Sequence, residues 1–396
     1  MAEEPYIPAE TAIKRLNVSR QTLYAYVSRG LIRSINQDGT DTRRKLYLAE
    51  DVDKLINRKA HGRKPDRIAA GTLAFGLPVL ESELTLIDQG KLYYRGQDAV
   101  ALSAEKSLEE IACLLWEANL GTPFDSPLPV GMVYSNPVDG GPVGRWSVIA
   151  RSTAALARLN TDDLPIRRAA PELLHRKGAF LVRALTAAIC ETTVKKKPIH
   201  EQLAEAWDVP AGKSDLLRRA LVLLSDHELN ASTFSVRVVA STGASLSACL
   251  LGGLAALSGP LHGSASDQVR VFFDQVDNSQ HPEGVVDSWL RRGERLPGVG
   301  HRLYPNGDPR ATAIIEGLDL TSIERRTLDT IFEQSGHREN VDMALVLLER
   351  HLALPTEAAI ALFAIGRSAG WVAHALEQNR TGHLIRPRAH YVGRRP

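Results

Sequence analysis

From residue 148 onward, apolar residues recur every three or four positions with charged residues between them. That spacing lays one apolar stripe along a helix. It predicts helices over 148–159, 178–192, 199–206, 214–225, 265–277, 282–292, 309–316, 321–335, 341–351 and 357–379. Another starts at Ser107, where Glu110 follows at the capping-box position and Ile111, Leu114 and Leu115 form the stripe. The stretch 238–261 has no charged residue and is rich in Ser, Thr, Gly and Ala. Its length would cross a membrane, but its small residues instead predict one helix buried in a core or subunit interface. Residues 76–94 break the helical pattern. There Leu84, Leu86, Ile87, Leu92 and Tyr93 surround Asp88-Gln89-Gly90, which suits a small hairpin. Residues 122–144 are rich in Pro and Gly and read as a loop. No alternating strand–helix series and no fixed-period repeat appear, so the body of the chain is predicted to be mainly α.

The first 60 residues follow another pattern. Ala9, Ala12, Ile13 and Leu16 share one helical face. After a turn at Asn17-Val18, Ser19 is placed to cap a second helix, 20–28. Two β-prone runs, 31–36 and 45–48, flank Asp38-Gly39, a hairpin signal. A third helix, 49–59, turns Val52, Leu55 and Ile56 inward. This order predicts a winged helix-turn-helix over 1–60, and the polar segment 61–74 is the linker to the body at 75–396.

Charge sharpens that division. Residues 1–67 hold 14 Lys and Arg against 9 Asp and Glu, whereas the remainder holds 34 against 37. A basic N-terminal module on a mildly acidic body makes DNA a candidate partner of the module alone. Arg20, Gln21, Thr22 and Tyr24 open the second helix, where side chains meet base edges in a major groove. Arg43 and Arg44 lie on the wing, placed for phosphates. A protein-docking role for the same surface is the alternative. The run VSRQTLYAYVSRGLI resembles the DNA-binding domain of MerR-type regulators and excisionase-like proteins.

The N-terminus lacks the basic and apolar regions of a signal peptide. Cys113, Cys190 and Cys249 show no zinc spacing and read as reduced thiols of a cytoplasmic protein. No spacing among the histidines predicts a metal, and no bound cofactor is expected.

Chemistry concentrates in the body. Residues 298–310 read GVGHRLYPNGDPR, placing His301 after a Gly-x-Gly pair and Arg310 beyond a turn. Glycine allows close backbone approach to a ligand, and arginine offers a fork suited to carboxylate. SDHELNAS puts His227 at a second helix–turn junction, and GPLHGSAS puts His262 at a third. Asp342 stands in ENVD, Arg367 in AIGRSAGW, and Arg386 in IRPR.

Together with YYRG near residue 94, and in this order, these motifs resemble the citrate synthase family over roughly four-fifths of the chain. The resemblance implies a large helical domain with a small one inserted at about 265–350, in a homodimer. The reaction it implies joins acetyl-CoA to oxaloacetate and hydrolyses the citryl thioester. By motif, Asp342 matches the base that removes the methyl proton. His262 matches the donor to the thioester oxygen, and His301 the group that protonates the oxaloacetate carbonyl. His227, Arg310, Arg367 and Arg386 match the carboxylate-binding residues, Arg386 serving the partner subunit. A weakly acidic thioester α-proton needs such help; one preorganised donor is worth about 3 kcal/mol.

Two departures stand out. After GPLHG the family's second glycine and asparagine are replaced by Ser264 and Ser266, and after NVD an expected aromatic is replaced by Met343. These leave open a 2-methylcitrate synthase taking propionyl-CoA, and a metabolite-sensing regulator whose synthase-like body has lost turnover.

Overall fold

A computed structural model describes residues 6–28, 31–36, 45–53, 55, 80–119, 123–126, 146–160, 165–260, 262–263 and 265–394. The chain divides into two units, Met1–Glu81 with Arg388–Pro396, and Ser82–Pro387.

The first unit contains β1 (Tyr6–Pro8), α1 (Ala9–Leu16), α2 (Arg20–Ser28), β2 (Ser34–Asn36) and β3 (Lys45–Leu48). Ser19 caps α2 as its sequence suggests, its Oγ accepting from the Thr22 amide at 3.2 Å. β3 pairs antiparallel with β2 on one side, Ile35 facing Leu46, and with β1 on the other. β1 is an addition to the expected pattern. It is an edge strand ending in Pro8, a residue that cannot donate to a ladder and is tolerated only at such an edge. Ala12, Leu16, Leu23, Ile32, Tyr47, Val52 and Leu55 close a small core of their own. Asp51 accepts from the Arg33 amide and guanidinium at 2.9–3.0 Å, fastening the last helical turn to the sheet. Arg20, Gln21 and Tyr24 are exposed, and Thr22 is half-buried with its hydroxyl 2.9 Å from that of Ser19. The predicted Asp38-Gly39 turn, Arg43 and Arg44, and the linker 61–74 lie outside the described residues.

The second unit opens with β4 (Thr85–Asp88), β5 (Lys91–Tyr94) and β6 (Gln97–Asp98) in one antiparallel sheet. Gln89 and Gly90 both take positive φ at the β4–β5 turn, the backbone a tight hairpin needs. The helices follow: α3 (Ala99–Glu105), α4 (Leu108–Trp116), α5 (Val148–Asn160), α6 (Pro171–Ile189), α7 (Ile199–Ala206), α8 (Ser214–Leu224), α9 (Ala231–Ser241), α10 (Leu246–Leu257), α11 (Ala265–Ser279), α12 (Pro282–Arg291), α13 (Pro309–Ile315), α14 (Ser322–Ser335), α15 (Val341–His351) and α16 (Ala358–Thr381). The fold is mainly helical, and the Ser107 capping box forms at the start of α4.

One expectation is corrected. Residues 238–261 are not a single helix. Gly243 takes φ +83°, a left-handed turn that ends α9, and Ser245 then caps α10 by accepting from the Ala248 amide at 3.1 Å. Small residues and a capping serine made a break that uncharged composition concealed.

α16 is the centre of the unit. It is long and apolar enough to cross a membrane, but 94% of its apolar window is buried inside the protein. Its glycines face α8. A Cβ on Gly366 would lie 2.8 Å from that of Leu224, and one on Gly370 would lie 2.4 Å from the Ser225 carbonyl oxygen. The Gly370 amide instead donates to that oxygen at 3.0 Å. This close approach fixes where Arg367 stands relative to the turn that carries His227.

Candidate active site

Three turns are brought together around α16. The first follows α8 and carries Asp226 and His227. Tyr94 on β5 donates its hydroxyl proton to carbonyls at the end of α8, at 3.0 Å from Val222 O and 3.1 Å from Leu223 O. Thr85 on β4 donates to Asp226 Oδ2 at 2.5 Å. The hairpin therefore braces the turn from behind. Asp226 does not pair with its neighbour His227 but lies 3.3 Å from His374 Nε2. Arg237 continues that buried network, paired with Glu377 and donating to Gln378 Oε1 at 2.8 Å.

The second turn is the Gly-x-Gly segment with His301. Gly298 and Gly300 both take positive φ, and a Cβ on Gly298 would meet Val269 at 2.7 Å. The backbone pairs with the segment before α15: Gly300 N donates to Arg338 O and Asn340 N to Gly298 O, both at 2.8 Å. That zipper places the His301 turn beside the first turn of α15, where Asp342 stands. Asn340 is the helix cap and accepts from the Asp342 amide at 3.0 Å, so the Asp342 carboxylate is not spent on capping. Asp308 ties in the rest. It accepts from Arg310 Nε at 2.9 Å and Nη2 at 2.7 Å, and from the Val341 amide at 3.2 Å.

The third turn carries His262. Its ring meets Phe363 of α16 edge-on, centroids 5.7 Å apart, and its Nε2 lies 2.9 Å from Ser232 Oγ. A Cβ on Gly263 would stand 2.3 Å from Leu257 O, so only glycine allows this turn. Ser264 lies outside the described residues, and Ser266 is buried.

The aromatic rings interlock at the centre. His227 and His301 meet edge to face at 5.1 Å, Tyr304 lies 5.0 Å from His301, and its hydroxyl is 3.0 Å from His227 Nε2. The Leu303 amide donates to His301 Nδ1 at 3.2 Å. A neutral His301 therefore carries its proton on Nε2, ready to donate.

The electrostatics point to an anion and a base. Burial, then the Arg310 and Arg367 charges, hold His227 neutral well below the usual histidine range. Burial and Arg367 bring His262 down to about 4, and burial and Arg310 lower His301. Burial raises the Asp342 carboxyl to about 6, with Arg310 opposing. Arg310 is held charged by Asp308 against the cost of burial. Arg367 differs. Burial lowers it to about 10, with Asp226 opposing, and it is 0% exposed. Its Nε donates to Leu224 O at 2.9 Å, its plane lies 4.8 Å from the Phe363 ring, and both Nη1 and Nη2 are buried without a hydrogen-bond partner. Two unspent nitrogen donors on a buried cation suit a carboxylate partner.

Of the residues singled out by sequence, His227, His301 and Arg310 are linked through Tyr304, and His262 and Arg367 through Phe363. Asp342 reaches them through the paired loops and makes no hydrogen bond to either catalytic candidate histidine. Arg386 is exposed and stands apart, with no hydrogen bond or ion pair among the described residues. The sequence reading missed Tyr304, Asp308, Asp226, His374 and Ser232. Tyr304 and Asp308 lie inside the quoted motif, three residues after His301 and two before Arg310. No group of side chains among the described residues is arranged to hold a metal.

Comparison with known proteins identifies the family. The model of the citrate synthase C-terminal domain matches residues 146–388. The citrate synthase of Haloferax volcanii is 30% identical over 367 residues, covering 80% of this chain and 94% of that protein. The crystal structure of Thermotoga maritima citrate synthase superposes with a TM-score of 0.64 at 27% identity, covering 81% of this chain and 94% of the other. A Thermoplasma acidophilum citrate synthase, solved in ternary complex with carboxymethyl coenzyme A and oxaloacetate, shares the fold at a TM-score of 0.63 and 24% identity, over 81% and 95%. The chain belongs to the citrate synthase family, a family of acyltransferases.

Proposed function

We propose that this chain condenses acetyl-CoA with oxaloacetate and hydrolyses the product thioester to citrate and CoA. The observation that carries this reading is the buried Arg367 with two unspent donors, set among neutral imidazoles. Arg367 and Arg310 take the two carboxylates of oxaloacetate. His301, protonated on Nε2, donates to its ketone. Asp342 removes a methyl proton from the acetyl thioester while His262 donates to the developing enolate oxygen. Ser232 holds the His262 ring in place: its hydroxyl donates to Asn230 Oδ1 at 2.8 Å, and its Oγ lies 2.9 Å from His262 Nε2. The enolate carbon then attacks the ketone carbon, the alkoxide takes the His301 proton, and water hydrolyses the thioester.

The large lobe, with a small helical lobe at about 265–350, closes over both substrates, and Arg386 completes the site of a second copy in a homodimer. The measurement is free thiol release from acetyl-CoA with oxaloacetate, with propionyl-CoA in parallel. Faster release from propionyl-CoA would assign a 2-methylcitrate synthase. No release from either, with oxaloacetate still bound, would assign a sensor, the reading that Met343 in place of an aromatic favours.

The N-terminal unit, read as a winged helix-turn-helix over 1–60, binds DNA through Arg20, Gln21, Thr22 and Tyr24 with Arg43 and Arg44. The affinity is expected to fall steeply between 50 and 200 mM salt and to vanish when residues 1–67 are removed. Unchanged migration of promoter fragments with the full chain at low salt would remove this role.

A further inference from the structure

We infer that Tyr304 is a positioning residue: its hydroxyl fixes the proton of His227 on Nδ1 and so makes His227 a hydrogen-bond donor to a substrate carboxylate. Tyr304 is 1% exposed, and its ring is held one turn after His301 by its own amide, which donates to His301 O at 3.0 Å. A buried phenol must place its O–H proton on an acceptor. Among the described residues the hydroxyl has one hydrogen-bond partner, His227 Nε2 at 3.0 Å. The other neighbours are excluded. Arg310 lies 5.6 Å from the ring centroid and can only donate. The Nδ1 of His301 already accepts from the Leu303 amide. Tyr304 therefore donates, and His227 Nε2 accepts.

Burial keeps the phenol protonated, and burial with two arginine charges keeps His227 neutral. A neutral imidazole that accepts at Nε2 has its single proton on Nδ1. Among the described residues His227 Nδ1 makes no hydrogen bond, and it is not one of the fully closed-off unpaired atoms, which leaves it open to a ligand. Without the tyrosine hydroxyl the proton is free to sit on Nε2. A carboxylate would then meet a lone pair where it needs a donor. His227 and His301 thus hold opposite tautomers, one set by a side chain and the other by a backbone amide, and both end as donors. The ligand half of this inference rests on the proposed function; the tautomer half rests on the Tyr304–His227 contact and the neutral, buried imidazole.

Tyr304→Phe tests both halves, since it keeps the ring and removes only the hydroxyl. Long-range ¹H–¹⁵N spectra of histidine-labelled protein at pH 7, with His227 assigned through a His227→Gln sample, are expected to show Nδ1 protonation in the wild type. Loss of that preference is expected in Tyr304→Phe. Calorimetry is expected to show oxaloacetate binding about tenfold weaker in the variant, from one lost donor to a charged ligand. Acyl-CoA affinity and the melting temperature should be little changed. Protonation of wild-type His227 at Nε2 would overturn the inference. So would equal oxaloacetate affinity in the two proteins, the result expected if Tyr304 only fills space. If the wild type binds no oxaloacetate while His227 is protonated at Nδ1, the ligand half falls with the proposed function and the tautomer half survives.

Discussion

Asp342→Asn is expected to lower the rate of thiol release from acetyl-CoA about a thousandfold, within the span general-base removal produces. The amide keeps the shape of the side chain, and the cap survives because the Asn340 side chain accepts from the backbone amide of residue 342, not from its carboxylate. What is lost is the only group proposed to accept the methyl proton. Oxaloacetate affinity should hold, because the residues proposed to bind it do not include Asp342. The pH profile of the wild type offers a second check. With the carboxyl raised to about 6 by burial, the rate should fall tenfold per unit below about pH 6. An ordinary aspartate would hold its activity down to about pH 4. Stability should move the opposite way. A carboxyl with a raised folded pKa holds its proton more tightly in the native state, so stability falls as pH rises from about 4 to about 6 and is then level. Asp342→Asn escapes that loss and should melt no lower than the wild type at pH 7. An unchanged rate in this variant would end the assignment of Asp342 as the base.

The legible and illegible parts of this protein divide along a physical line. Helices with a strong apolar stripe, such as 199–206 and 341–351, fold with the bounds their periodicity predicts. Their burial follows from local spacing alone. The two-helix break near Gly243 was hidden because small residues carry little periodic signal. In the site, His262 and His301 were legible as candidates because glycine-flanked turns mark places of close approach, and the other histidine and the arginines by their motifs. Their partners were not. Nothing in the order of residues says that Thr85 meets Asp226, that Tyr94 binds the end of α8, or that Asp308 joins Arg310 to the start of α15. Each depends on segments far apart in the chain. Asp342 and Asn340 show the distinction at short range. Either side chain could have capped α15, and only the folded backbone, with Asn340 extended, decides which one does.

Arg367→Met is expected to abolish measurable oxaloacetate binding while raising the melting temperature of the ligand-free protein. Both signs follow from the same two atoms. Nη1 and Nη2 are buried with no partner, and an unpaired buried charge is among the more costly groups a fold can hold. Asp226 offsets part of that cost through its charge, but no ion pair joins the two among the described residues. Methionine fills a similar volume against Phe363 with no charge to desolvate. It gives up one hydrogen bond, Nε to Leu224 O, against two orphaned donors removed. The loss of binding should be large, because two charge-assisted bonds to a carboxylate in a dry slot are each worth about 1.5–3 kcal/mol. Arg367→Lys should fall between, keeping a charge without the planar fork. Calorimetry measures the binding, and thermal melts with and without oxaloacetate measure the stability. In the wild type the ligand should raise the melting temperature with the logarithm of its concentration, as binding to the native state alone requires. In Arg367→Met that increment should vanish. A variant that melts lower than the wild type and still gains from oxaloacetate would show that the slot belongs to the packing of α16 and that the anion binds elsewhere.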